Sequence, residues 1–296
     1  MTYTIGNTPF GSSWEPRLWS VTPFPQEFLL MIWSLAQALA ASPKGIRPVR
    51  IIAQGLQRIV LPPLTRPLVK PTEEPTEALV DWGVRYYVYS LVAHVRFILE
   101  GIVQVSDAGN VSAAFVLGRH VFEWAAHACF VTEKLHQHYQ KNLWREAWQL
   151  QSAVATGSLW IKRYGAKYAD PGAKVTFLDD TPNPIHIREA VSAYDKYLKQ
   201  NGRALDGVDT YSFLSEHSHP NAACLLPYHQ YQGRDVHFDD PDPRSSPLPA
   251  VTWCLIDLLG FLRQLLVMSH EASVHRGVVA VLREVANLMP KKGNSK

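Results

Sequence analysis

Cysteine is scarce in this chain of 296 residues: Cys129, Cys224 and Cys254 are the three present. They are odd in number and widely spaced, and two lie inside apolar runs. That fits buried free thiols in a reducing compartment better than a disulfide framework. Charge is also sparse, at 19% of residues, and nearly balanced, with a formal net charge of +3. Such a balance neither demands nor forbids a nucleic-acid partner, because a local basic patch hides easily in a small total. The chain lacks GxGxxG, a Walker phosphate loop, a GxSxG elbow, a CxxC pair and HExxH, so the common sequence grounds for nucleotide-fold, hydrolase, thiol-redox and zincin chemistry are missing. The opening MTYTIGNTPFGSSWEPR has no basic leader followed by an apolar run, and no secretory signal is expected. The longest apolar stretches, 28–41 and 255–268, are short for a bilayer and are interrupted by Gln37 or by Asp257 and Arg263. The expectation is a soluble, cytoplasmic protein with no membrane partner.

What is abundant is apolar residues at helical spacing, 47% of the chain counting aromatics, cysteine and methionine. An irregular aromatic arm carrying Trp14, Trp19 and Phe24 precedes two predicted helices over 26–41 and 48–60. Five prolines between positions 62 and 75 then exclude a regular helix. They suggest a boundary between an N-terminal arm and helical hairpin, 1–70, and a main bundle, 71–296. From Thr76 the pattern is helical for about thirty residues until SDAGN, 106–110, breaks it. The helix from Val111 to about His138 is apolar on nearly every side, which predicts a place in the middle of a bundle. Further helices are expected from Asn142 to Tyr164, from a cap at Asn183 with Pro184 at the first helical position, from near Asp206 or Asp209 to the residues before Pro220, and over 249–270 and 274–289. Residues 165–183 read as loop. The fold class is therefore all-α, a bundle of eight or nine helices with a short irregular or hairpin insertion near 222–245 and Gly233 at its turn.

Polar chemistry is densest in YSFLSEHSHPN, 211–221. Tyr211, Ser215 and Ser218 share one helical face, and the histidines sit where a helix C-terminus favours a cationic or donating imidazole. His219 with Glu216, or His217, makes a reasonable acid/base pair. The same residues also suit a capping cluster in which histidines satisfy terminal carbonyls and Asn221 sets a turn. In the apolar helix, Arg119, Glu123 and His127 recur every four residues as one polar stripe. It reads either as a narrow solvated face or as an inward seam of the kind that lines a site. Glu216, His217, His219, His229, His237 and Asp239 match no standard zinc spacing, and neither metal nor cofactor is expected. Trp144, Trp148 and Trp160 with neighbouring bases read as core packing with snorkelling cations. Arg263 and His270 have the spacing of the helical HEPN ribonucleases, but with 12 histidines in the chain such a pair arises by chance.

YSFLSEHSHPN resembles the Y-x-x-L-(S/C)-E-x-x-H-P-N signature of uncharacterised bacterial all-helical proteins, in which an earlier helix carries an R-x-x-x-E pair matched by Arg119 and Glu123. The resemblance covers about 76–285 and singles out Tyr211, Glu216, His219, Pro220 and Asn221. It implies a HEPN-like helical organisation and a role around RNA or in defence or toxin-like systems. The functional expectation is one polar pocket: His219, or His217 beside it, as acid/base, Glu216 orienting it, Arg119 anchoring a phosphate, and Glu123, Tyr211 and Asn221 completing the wall. RNA or a nucleotide is the expected ligand, and the N-terminal arm suits a homo-oligomer or protein partner. The rival expectation, from another class, is a non-enzymatic interaction or scaffold protein in which the same residues form a buried structural network.

Overall fold

The computed structural model describes residues 45–67, 74–156, 185–203, 205–218, 229–232, 235–238 and 247–288, with backbone alone for 155, 156, 217 and the two strands. Structural statements refer to these residues. They form eight helices: α1 Ile46–Gln57, α2 Glu77–Asp107, α3 Val111–Gln140, α4 Trp144–Thr156, α5 Ile187–Gln200, α6 Gly207–Ser218, α7 Leu248–Met268 and α8 Ala272–Ala286. Strands β1 His229–Gln232 and β2 Asp235–Phe238 pair antiparallel, with His229 opposite Phe238 and Gln232 opposite Asp235. The protein is an all-α bundle, and the hairpin lies in the stretch expected to be an insertion. The expected helix over 26–41, the loop 165–183 and the cap at Asn183 and Pro184 lie outside the described residues.

Helix ends follow local chemistry. Thr76, Asn110 and Glu271 accept from backbone N–H groups in the first turns of α2, α3 and α8, and Asp206 accepts from Asp209 N at 2.9 Å to cap α6. The described part of α5 starts at Ile187, capped by His186, whose ring Nδ1 accepts from Arg188 N at 3.2 Å; this replaces the expected cap three residues earlier. At four C-termini the chain turns through a left-handed residue: Gly109 after α2, Asn142 after α3, Gly202 after α5 and His270 after α7. At each, the following N–H returns to a carbonyl five residues back, as from Asn110 to Val105 and from Glu271 to Leu266, both at 2.8 Å. Asn142 therefore ends one helix, and α4 starts two residues later than expected. His270 likewise lies past the end of α7 rather than within it.

The hub is α3, which packs against α7, α5, α6, α2 and α4. It approaches α7 at Gly118, where a Cβ would lie 2.8 Å from Val251 Cγ2. By length and composition α2 and α7 are apolar enough to cross a membrane; α7 extends the apolar run 255–268 back to Leu248. In the bundle α7 is a core helix, with every residue from Val251 to Leu259 buried. Cys129 and Cys254 are buried free thiols, as expected, and burial raises both above the usual thiol range. Despite the proline boundary in the sequence, α1 joins the same core through Val49, Ile52 and Leu56. Arg96 of α2 donates to its terminal carbonyl at Leu56, at 2.9 Å, and to that of Ile59 just beyond.

Candidate functional site

The polar stripe of α3 divides. At its near end Arg119 Nε donates to Glu123 Oε1 at 2.8 Å, the one-turn geometry that the spacing implies. The guanidinium then reaches across to α6, with Nη1 donating to Ser218 Oγ and Nη2 to Tyr211 OH, both at 3.3 Å. Its carbon lies 5.5 Å from the Tyr211 ring centroid. Tyr211 rests in turn on Phe122, ring centroids 5.7 Å apart. Ser218 donates to Ser215 O at 2.9 Å, so the last turn of α6 is tied both to itself and to α3. The Arg119 and Glu123 side chains are each 25% exposed, neither a solvated face nor a sealed interior. Burial of Arg119 works against its charge, but Glu123 and Tyr211 outweigh it and raise its pKa further.

His120, which sequence reasoning passed over, extends the group: its Nδ1 lies 3.7 Å from Glu123 Oε2. Glu123 thus stands between two cationic or potentially cationic neighbours. The imidazole of His94 on α2 follows, its ring 6.3 Å from His120 and 5.4 Å from Trp124. His127, two turns along from Arg119, belongs to a different contact, with Nδ1 3.1 Å from Tyr87 OH of α2. Burial depresses its pKa to about 4, so it is neutral at physiological pH and takes no part in an ionic stripe.

Of the expected site residues, Arg119, Glu123 and Tyr211 meet. Glu216 lies on α6 with an exposed side chain, on a different face from Tyr211 and Ser218. The backbone of His217 belongs to α6, while His219 and Asn221 lie outside the described residues.

No family model, curated protein or solved structure matches this chain. The site has to be read from its own geometry. A guanidinium fixed by a carboxylate one turn away, with two hydroxyls beside it, is of a chemistry that can recognise an anion. It is also a latch that docks a short helix.

A second polar centre had no sequence signal. Arg203, just after α5, pairs with Asp257 of α7 at 2.7 Å, their side chains 6% and 1% exposed. Tyr194 donates to the other carboxylate oxygen at 2.9 Å. Burial pushes the Asp257 carboxyl up, with Arg203 and Tyr194 pulling against it. Arg203 also stacks 5.2 Å from the Trp253 ring centroid. With so little exposure, this group is read as a buried structural pair.

Proposed function

We propose that the α3–α6 site binds a phosphate-bearing ligand, RNA or a nucleotide, in the cytoplasm. Arg119 is the phosphate anchor, Glu123 holds it in orientation, and Tyr211 lines the wall. His219, with His217 beside it, supplies acid/base chemistry from the segment that leaves α6. The observation that carries this reading is the pair of hydrogen bonds from Arg119 to Tyr211 and Ser218. They bring the arginine of the apolar helix to the end of α6 from which HSHPN continues. The resemblance to the helical bacterial signature, with its HEPN-like association with RNA and defence systems, points the same way.

Filter binding and thermal melting on wild type, Arg119→Ala, Tyr211→Phe and His219→Ala test it, with a single-stranded RNA oligonucleotide and ribonucleotides as probes. Arg119→Ala is expected to weaken binding at least ~tenfold and to reduce its salt dependence. The cost in stability should stay near 1 kcal/mol, that of a partly exposed ion pair.

A second reading, the scaffold, has its own support. Among the described residues of α6, Leu214 is the one buried large apolar side chain, while Val208 and Phe213 are about half exposed. A helix with so thin an apolar anchor depends on polar ties such as those from Arg119. If wild type binds neither probe and the variants lose stability alone, the scaffold reading stands and the ligand reading falls.

A further inference from the structure

Away from the α3–α6 site, three potential metal ligands meet at the other end of the bundle. Glu77 opens α2, Asp81 stands one turn further on the same helix, and His270 occupies the turn between α7 and α8. One ligand atom from each lies within 4.8 Å of the other two. Glu77 and His270 are exposed and Asp81 is buried.

Asp81 makes the cluster more than a chance meeting of surface acids. Asp81 is 7% exposed, yet the one side-chain hydrogen bond it makes among the described residues is from Tyr139 OH, at 2.7 Å. No lysine or arginine forms a direct ion pair with it among the described residues, although Arg85, the next turn along α2, is near enough to act electrostatically on Tyr139. A carboxylate taken out of water without a direct ion pair is costly, and proteins resolve that cost by hydrogen-bonding or pairing it or by coordinating a metal. Tyr139 supplies the outer hydrogen bond that typically orients a ligating carboxylate. His270, with φ of +53°, sits where glycine is the usual residue, as at Gly109 and Gly202. The chain accepts an unfavourable side chain there, and that side chain lies against the two carboxylates.

We infer that Glu77, Asp81 and His270 form a binding site for a divalent first-row transition ion of the Zn2+ class, clamping the first turn of α2 to the α7–α8 turn. One imidazole and two carboxylates suit such an ion better than Mg2+, which seeks oxygen alone. Ligand atoms about 2.0–2.2 Å from a tetrahedral ion stand roughly 3.3–3.6 Å apart, so closure needs only a small inward movement of the two exposed side chains. The exposed side of the cluster leaves the remaining coordination position to water.

Titration calorimetry and thermal melting of the metal-stripped full chain with ZnCl2 test the assignment, using wild type, His270→Gly and Glu77→Gln. His270→Gly removes the imidazole and gives the turn its preferred residue, so the metal-free variant should melt no lower than wild type. Wild type is expected to bind about one ion and to melt higher with Zn2+, and each variant to bind at least ~tenfold more weakly. Absence of binding to wild type would overturn the proposal. So would binding of equal strength in both variants, which would place the ion elsewhere, as at the histidines between 217 and 237.

Discussion

Arg203 and Asp257 are the charged pair with the least exposure among the described residues, and their partners show why they are kept. Asp257 receives Arg203 on one oxygen and Tyr194 on the other, and Arg203 lies over Trp253. Removing one member strands the other inside the bundle. Asp257→Asn should therefore cost about 3–5 kcal/mol in urea unfolding, far more than a surface pair. Combining Asp257→Leu with Arg203→Met should cost clearly less than the two single losses together, because no lone charge is left behind. If the double variant is as damaged as the sum, the pair acts through packing and not charge. His270 is the other residue whose identity runs against local preference, and the structure gives a reason for it in the two carboxylates of α2.

At the scale of elements, α3 and α7 come close where Gly118 faces Val251. Leu214 of α6 lies beside the same spot, 3.8 Å from where a Cβ would stand. Gly118→Ala gains about 1 kcal/mol in helix propensity but forces a methyl into Val251, an overpacking that costs about 1–3 kcal/mol. A net loss of up to about 2 kcal/mol in chemical denaturation is expected. Val251→Ala in the same chain should recover part of it, despite being destabilising alone. Since Gly118 lies one residue before Arg119, the shift should also loosen the hold of α3 on α6. A Gly118→Ala protein as stable as wild type would show that the helices have slack at this crossing.

For the molecule as a whole, the neutral imidazole of His127 is expected to contribute to the acid limit of stability. His127 is held neutral, its pKa lowered from 6.5 to about 4 by burial. His94, which is exposed, and His138 and His275, which are partly exposed, are shifted in the same direction with partial desolvation first among the causes, and add little beside His127. Between the two values for His127 the unfolded chain binds more protons than the folded one, so stability rises with pH there. The contribution is complete above pH 6.5 and is lost as pH falls through that value toward 4. For His127 alone this amounts to up to about 3 kcal/mol. Urea midpoints at about pH 7 and about pH 4.5 should differ markedly in wild type and less in His127→Gln. An unchanged difference would assign the acid sensitivity to other groups.

Much of this architecture follows from local rules. The break at SDAGN, the end at Asn201–Gly202 and the central place of the apolar helix α3 need only helical periodicity and the backbone freedom of glycine and asparagine, whereas Asn142, expected to open a helix, closes one. The Arg119–Glu123 contact was legible too, because residues four apart on a helix must meet. Tyr211 was expected in the group and Ser218 was not, and the contact of both with Arg119 is a matter of how α6 docks. Within one stripe, sequence could not separate His127 from Arg119; a neighbour on α2 decides that. Arg203 with Asp257 carries no spacing signal, and of Glu77, Asp81 and His270 only the four-residue step from Glu77 to Asp81 is local, since His270 is supplied by a turn remote in the chain. Local propensity and amphipathic period are properties of neighbours along the backbone and are written in it. The pairing of buried charge depends on which helices pack together, and only the assembled core settles that.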